Sequence, residues 1–240
     1  MDDRRNGGET ARETLSRERI VATAIAYVDD HGLSALTMRR LGRELGVEAM
    51  SLYRYVNGRE DLLEGIVDRL TEQLHLQPDT EELGAADGWQ AYLQWLAHGV
   101  RALVVEHPKV FPLIATRHPA APWLRPPLRD LRVVEEFLAT LIERGFSDAR
   151  AVMAYRAFSS FLLGHLLLEA SVLGARTAPA EEPLDEGDSD VPNADQAVDL
   201  ADYPHLQRLE GMLSEDHALA EFEQALEDLL DRIDRTITEE

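Results

Sequence analysis

The sequence predicts an all-α fold, with a short N-terminal helical unit followed by a larger helical domain. Apolar residues recur at three- and four-residue spacing in nearly every segment, whereas no alternating run is long enough to predict a strand. Glycine, proline and capping residues interrupt this pattern at the intervals expected of separate helices. The chain has 240 residues, of which 45% are hydrophobic, which is enough apolar mass for a substantial core.

The N-terminal unit is predicted to contain three short helices and the start of a fourth. Ser16 and Thr37 are good N-caps for the first two helices, while glycines at 32 and 46 suit the turns that follow them. A third helix is expected over 48–55, and Asn57 with Glu60 resembles a capping box that opens the fourth. The residues expected to face inward are Ile20, Val21, Ala24, Ile25, Val28, Leu41, Leu45, Leu52, Leu62, Leu63, Ile66, Val67 and Leu70.

The larger domain is predicted to contain four main helices. Their expected ranges are 89–106, 128–144, 147–173 and 216–237, with a short element over 109–116 and a proline-rich crossing before the second. The helix over 147–173 is apolar nearly all round in its second half, so it should be buried. Between residues 177 and 207 there are nine acids and no Lys or Arg, which predicts a mobile acidic loop.

The chain is therefore divided into a disordered arm over 1–15, a first domain over 16–62 and a second domain over 63–240. Its formal net charge is −21, and it contains no cysteine, which excludes disulfides, Cys-ligated zinc and thiol catalysis. Between Leu33 and Arg59, however, five arginines face only two acids. A polyanion thus has one favourable docking place on an otherwise repelling molecule.

That basic stretch has the order helix, tight turn, helix. In a helix-turn-helix the first helix braces the second, whose diameter fits the major groove of DNA. Here Glu48, Ala49, Met50 and Ser51 begin the second helix, where side chains meet base edges, and Tyr53, Arg54 and Tyr55 follow. Tyrosine and arginine at that end can hold phosphates. Two ordinary short helices are the alternative interpretation of the spacing alone.

The region from Ile20 to Leu63 resembles the TetR family of transcriptional repressors. The matching residues are Ile20, Ala24, Gly32, the run Leu36–Val47, the run Leu52–Val56 and the run Arg59–Leu63. The resemblance implies that Thr37 and Arg39 lie on the bracing helix. It also implies that two sets of residues contact DNA. Bases would be faced by Glu48, Ala49, Met50, Ser51 and Arg54, and phosphates would be held by Tyr53, Tyr55 and Arg59.

The C-terminal part resembles the regulatory domain of the tetracycline-repressor type. The residues that carry this likeness are Trp89-Gln90, His107-Pro108, Ala115-Thr116-Arg117, Gly145-Phe146-Ser147, Leu163-Gly164 and Tyr203-Pro204. The resemblance implies a homodimer on palindromic double-stranded DNA, held by a four-helix interface from 147–173 and 216–237. The expected interface residues are Phe161, Leu162, His165, Leu168, Phe222, Leu226 and Leu229. Plain subunit core is the alternative for these apolar stripes.

The resemblance further implies release from DNA by a small-molecule effector. In the tetracycline repressor a histidine binds the magnesium–drug complex, but ungapped alignment places Leu113 there, so magnesium–tetracycline is not expected to bind. An apolar pocket for a hydrophobic or aromatic molecule is expected instead. Its candidate residues are Trp95, Val100, Leu103, Leu113, Thr116, Trp123, Phe137, Met153 and His165.

Other classes of function find less support in the sequence. A helical enzyme would need a catalytic constellation, and no HExxH, phosphate-cradling glycine loop or Ser-His-Asp pattern is recognised. We therefore predict no catalytic residues, no metal site and no cofactor. A regulator controlled by a protein partner on the acidic loop stays open. The start of the chain does not resemble a signal peptide, and its most apolar run is short, so a soluble, cytoplasmic protein without membrane contact is expected.

Overall fold

The computed structural model describes residues 14–74, 88–175 and 202–238, and within these ranges every regular element is a helix. The all-α prediction is therefore confirmed. The α-helices are α1 (Arg17–His31), α2 (Met38–Leu45), α3 (Ala49–Leu52), α4 (Arg59–Thr71), α5 (Gly88–Glu106), α6 (Leu131–Glu143), α7 (Asp148–Val172), α8 (Pro204–Leu213) and α9 (Ala218–Thr238). Short 3₁₀ turns occupy Leu33–Ala35, Glu72–Leu74 and Phe111–Leu113.

The first two helices begin at the caps that the sequence predicts. Ser16 accepts a hydrogen bond from the Arg19 backbone N–H, and Thr37 accepts one from that of Arg40, both at 3.2 Å. Each bond satisfies one of the backbone donors that a helix start leaves unpaired. Gly46 ends α2 with φ of 69°, a left-handed conformation that glycine adopts without a Cβ penalty.

Two details of this unit differ from the sequence-based expectation. The third helix covers only Ala49–Leu52, not 48–55, because the chain turns at Tyr53–Tyr55. The predicted capping box is also shifted: the Asn57 backbone N–H bonds Asp61 Oδ2 at 2.6 Å rather than Glu60. Helix α4 accordingly begins after Gly58, which has no side-chain cap.

The small core of this unit lies where α1 packs against α2 and α4. All thirteen residues expected to face inward are buried, with Ile20, Leu41, Leu52 and Ile66 fully so. Burial of a side chain of this size stabilises the fold by roughly 1.5–3 kcal/mol. We call helices α1 to α3 and the first turns of α4 the reading head.

Helix α7 is the central element of the larger domain and packs against α5, α6 and α9. Phe137 of α6 contacts the rings of Tyr92, Tyr155 and Phe158 at centroid distances of 5.5–6.3 Å. Burial raises the pKa of both tyrosines to about 12. By length and composition alone α7 is apolar enough to cross a membrane, but the helices packed around it bury much of its surface.

Parts of the predicted division lie outside the described residues, namely the arm up to residue 13 and the acidic loop over 177–201. The loop's predicted end overlaps α8, which begins at Pro204. None of the residues of α8 is buried by the described part of the chain.

The predicted dimer residues fall into two groups. Leu162, Phe222, Leu226 and Leu229 are buried within one chain, which revises the expectation that they face a partner. These four residues belong to the core of the subunit, because the apolar side of α9 packs against α7 and α5. Phe161 and His165 are half-buried beside Phe222, and Leu168 is 73% exposed.

Substituting Phe222 by alanine is expected to lower the free energy of unfolding by about 3–5 kcal/mol, because it opens a cavity at a fully buried site. Denaturant unfolding at fixed protein concentration measures this. The matched control on the same helix is Leu219→Ala, which alters a side chain that is 54% exposed and should cost less than about 0.5 kcal/mol. If Phe222→Ala instead gives a monomer as stable as the parent subunit, Phe222 belongs to the dimer interface and not to the subunit core.

Candidate nucleic-acid interface

The interface begins with the close approach of α2 to the turn and to α3. A Cβ at Gly42 would lie 2.9 Å from the Val47 carbonyl oxygen and 3.2 Å from the Ala49 backbone, closer than ordinary contact. The Val47 N–H also bonds the Gly42 carbonyl at 2.9 Å. Helix α2 therefore braces α3 through its backbone, which is the arrangement a helix-turn-helix requires.

The predicted DNA-contacting residues all lie on the surface of this unit. Met50 is 75% exposed at the tip of α3, and Leu52 on the opposite side is fully buried. Glu48 is exposed and, as the N-cap residue of α3, makes no side-chain capping bond. Ala49 and Ser51 are half-buried, and Thr37, Arg39, Tyr53, Arg54, Tyr55 and Arg59 are exposed. The structure thus brings the ten residues to one short segment.

Most of the arginines here have no protein partner. Within the described ranges, the side chains of Arg39, Arg43, Arg54 and Arg59 make no hydrogen bond or ion pair, whereas that of Arg40 donates to the Ala35 carbonyl at 3.0 Å. Exposed, unpaired guanidinium groups are available to phosphate oxygens. Arg43 was counted in the basic stretch but not among the contacting residues, and it is exposed as well.

The turn before α4 is held by an arginine that local sequence patterns did not indicate. Arg17 of α1 pairs with Asp61 at 2.7 Å and donates to the Tyr55 carbonyl at 3.3 Å. Asp61 also accepts from the Asn57 N–H, so one carboxylate ties α1 to the turn between Tyr55 and Arg59. The Arg17 guanidinium and the Asn57 N–H hold the pKa of Asp61 below its usual value.

The predicted ligand-binding residues are not gathered around one cavity. Val100 and Leu103 line an apolar cavity of about 40 Å³. Leu113 and Phe137 are buried elsewhere in the core, Trp95 and His165 are half-buried, and Trp123, Met153 and Thr116 are exposed. Apolar spacing marks residues as buried, but it does not separate a cavity wall from solid core.

The walls of this cavity come from distant parts of the chain. Leu96 on α5, Phe158 on α7 and Val133 on α6 face it, and Thr71 from the end of α4 lies at its edge. The Thr71 hydroxyl bonds the Asp130 carboxylate at 2.5 Å, and both residues are buried. This places the end of α4 next to the apolar cavity.

The fold and the basic surface together define a helical protein that reads duplex DNA with a helix-turn-helix. The family description "Bacterial regulatory proteins, tetR family" matches residues 20–66, and "Tetracyclin repressor-like, C-terminal domain" matches residues 78–237. The chain belongs to the TetR family of DNA-binding transcriptional regulators.

Individual relatives agree with this. The transcriptional repressor DrrR1 of Streptomyces coeruleorubidus is 32% identical over 164 residues, which are 68% of this chain and 57% of that protein. The chain thus spans little more than half the length of that relative. A possible TetR family regulator from Streptomyces coelicolor A3(2) matches 92% of this chain and all of its own, with TM-score 0.64 and 29% identity.

The fold likeness also extends to a solved complex with a bound molecule. The ActR protein of Streptomyces coelicolor, in complex with actinorhodin, covers 92% of this chain and 96% of its own. Its TM-score is 0.61 at 21% identity, so this likeness concerns the fold alone.

Replacing Asp61 by asparagine is expected to lower the free energy of unfolding near pH 7 by about 1 kcal/mol, since the pair is half-exposed and partly screened. The pKa of Asp61 is lowered in the folded protein. Its contribution to the free energy of unfolding is therefore complete above the ordinary pKa of aspartate, and it is lost as the pH falls through the pKa of the folded state. The difference between variant and parent should therefore shrink in acid.

Denaturant unfolding across a pH series checks this. Asp68→Asn is the matched control, because the Arg132–Asp68 pair is more than half exposed on both sides and should contribute less. An Asp61→Asn difference that persists unchanged at the lowest pH would show that charge does not carry the effect.

Proposed function

We propose that this protein is a homodimeric transcriptional repressor that binds a palindromic operator and leaves it when a small hydrophobic molecule binds. The observation that carries the proposal is the cluster of exposed, unpaired arginines on the helix-turn-helix of a chain whose net charge is −21. The name of the DrrR1 relative supports repression. Such a protein acts where the chromosome lies, in the cytoplasm.

The residues divide into those that position the protein and those that read sequence. Thr37 at the N-cap of α2 and Arg39 on α2 are proposed to contact the DNA backbone, together with Tyr53, Tyr55 and Arg59, because they lie before and after α3 in the chain and are exposed. Met50, Ser51, Arg54, Ala49 and Glu48 are proposed to face bases. Met50 presents an apolar tip of the kind that packs on a thymine methyl group.

Reading a palindrome requires two heads about 34–36 Å apart. The burial of Phe222 and its neighbours moves the proposed interface to the outward face of α7. Leu168, which was already an expected interface residue, is joined there by Val172, 88% exposed, and by Met153. Exposed apolar residues on a long helix are what a second copy would cover.

The proposed effector is uncharged and largely apolar. The cavity that Val100 and Leu103 line has almost entirely apolar walls, and it adjoins both α5 and the end of α4. At about 40 Å³ it is smaller than typical ligand pockets, so binding would have to expand it. A ligand that binds the expanded form more tightly shifts the equilibrium between the two conformations of the protein, and with it the position of the heads. The size of the shift is set by the difference between its affinities for the two conformations. The ActR complex with actinorhodin supports ligand control in this fold.

Selection of bound fragments from randomised duplex DNA is the test of the proposed function. The expected result is a palindrome whose half-sites are about one helical turn apart. Recovery of no preferred sequence at low salt would overturn the proposal.

On the selected duplex, Arg59→Ala and Tyr53→Ala should weaken binding to all sequences alike, and the salt slope should fall by about 1 for the arginine. Met50→Ala and Arg54→Ala should instead change which bases are preferred. Arg208→Ala, an exposed arginine on α8, is the control and should leave both measures unchanged. A changed preference with an unchanged salt slope for Arg59→Ala would reverse the assigned roles.

Charging the proposed interface by Leu168→Glu should yield folded monomers with weak operator affinity, as measured by sedimentation velocity. Ile142→Glu introduces the same charge at an exposed site on α6 and should preserve the dimer. A Leu168→Glu protein with the parent mass would place the interface elsewhere.

Magnesium–tetracycline is not expected to bind, since Leu113, buried in the core, offers no nitrogen ligand. A titration with tetracycline should give the same signal with and without Mg²⁺. Micromolar, Mg²⁺-dependent binding would contradict this.

A further inference from the structure

Arg129 lies in the larger domain, one residue before the cap of α6, and yet its side chain reaches the reading head. The residue is 5% exposed, and its backbone N–H bonds the Ile114 carbonyl at 3.0 Å. Its guanidinium Nη2 lies 2.8 Å from Glu60 Oε2 and 2.7 Å from Glu64 Oε1, both on α4. A buried guanidinium is tolerated where carboxylates compensate its lost hydration.

The carboxylates of Glu60 and Glu64 lie close to the proposed DNA-binding surface. Glu60 directly follows Arg59, which is proposed to hold a phosphate, and Glu64 is one turn further along the same helix. Unpaired, they would repel the DNA backbone beside the only basic surface recognised in the sequence. With Arg129 between them, part of that negative charge is cancelled from the protein side.

The same segment borders the apolar cavity. Leu128 and Asp130, the neighbours of Arg129, both line it, and Asp130 is bonded to Thr71 at the far end of α4. Arg129 also donates to Thr116 at 3.4 Å, the residue that was expected to contact ligand. Both ends of α4 are thus tied to two adjacent residues, Arg129 and Asp130.

We infer that Arg129 is a positioning residue for operator binding. It neutralises Glu60 and Glu64 beside the phosphate-holding turn and fixes the first turns of α4 against the larger domain. Displacement of the cavity wall would then be passed to the reading head through this side chain. The inference rests on the proposed function for its regulatory part, whereas the fixed position of the head does not depend on it.

The test compares Arg129→Met, Arg129→Lys and the triple variant Arg129→Met/Glu60→Gln/Glu64→Gln in the full chain. Arg129→Met should weaken binding to the selected duplex about tenfold at low salt and less at high salt, because the lost effect is a screened charge. The triple variant should recover part of this affinity, because the repelling carboxylates are gone while the first turns of α4 stay unanchored. Arg129→Lys, which keeps the charge but not the planar guanidinium, should stay within about threefold of the parent.

A second measurement reports the position of the head without DNA. The chain contains no cysteine, so spin labels can be placed at Glu44→Cys on α2 and Glu135→Cys on α6, both exposed, and diluted with unlabelled protein. The distance distribution between the labels should be narrow in the parent and broader in both Arg129→Met and the triple variant. Thermal unfolding of each protein separates this from global loss of structure.

The outcomes distinguish a failure of the inference about Arg129 from a failure of the proposed function. A parent-like affinity and a narrow distance distribution in Arg129→Met would overturn the inference. An affinity loss that follows the drop in melting temperature and is not recovered in the triple variant would also overturn it, because the role would then be structural alone. If the parent protein selects no duplex, the proposed function fails, and the distance measurement still decides whether Arg129 fixes the head.

Discussion

Helix α4 is shared by the two halves of the molecule, and the rest of the structure depends on how it is held. One side of the helix completes the core of the reading head, where Leu62 and Ile66 are buried against α1. Its polar side faces the larger domain and is engaged at both ends, by Arg129 at the first turns and by Asp130 at Thr71. A rigid helix anchored in this way transmits small displacements rather than absorbing them.

The sequence was most informative where structure is local. Helix periodicity and the caps at Ser16 and Thr37 follow from contacts within four residues, so they were predicted correctly. The short length of α3 was not, because the turn at Tyr53 that ends it gives no glycine or proline signal. Arg17 escaped notice for a different reason: its partner Asp61 lies 44 positions away, and pairing at that range follows only from the assembled fold.

The sequence singles out a candidate surface for DNA more readily than a ligand site, for a physical reason. A DNA-reading surface must be exposed and cationic, and in a chain of net charge −21 an excess of arginine is conspicuous. A pocket for an apolar molecule uses the same leucines and phenylalanines as ordinary core. Phe222 shows the same ambiguity: its stripe on α9 suits an interface or a core equally, and only packing on Phe161 and His165 separates them.

Polar pairs join the head and the later turns of α4 to the larger domain at several points. They are Asp29 with His107, the Asp30 carbonyl with Lys109, Glu60 and Glu64 with Arg129, Asp68 with Arg132, and Thr71 with Asp130. None of the α1 and α4 residues in these pairs is among the residues proposed to touch DNA. The side chains proposed to touch DNA and those that join the two parts of the molecule are therefore separate sets. A DNA-binding unit from another protein that keeps these few docking positions could acquire the ligand response proposed for this larger domain. New regulators could therefore arise by exchange of domains rather than by redesign.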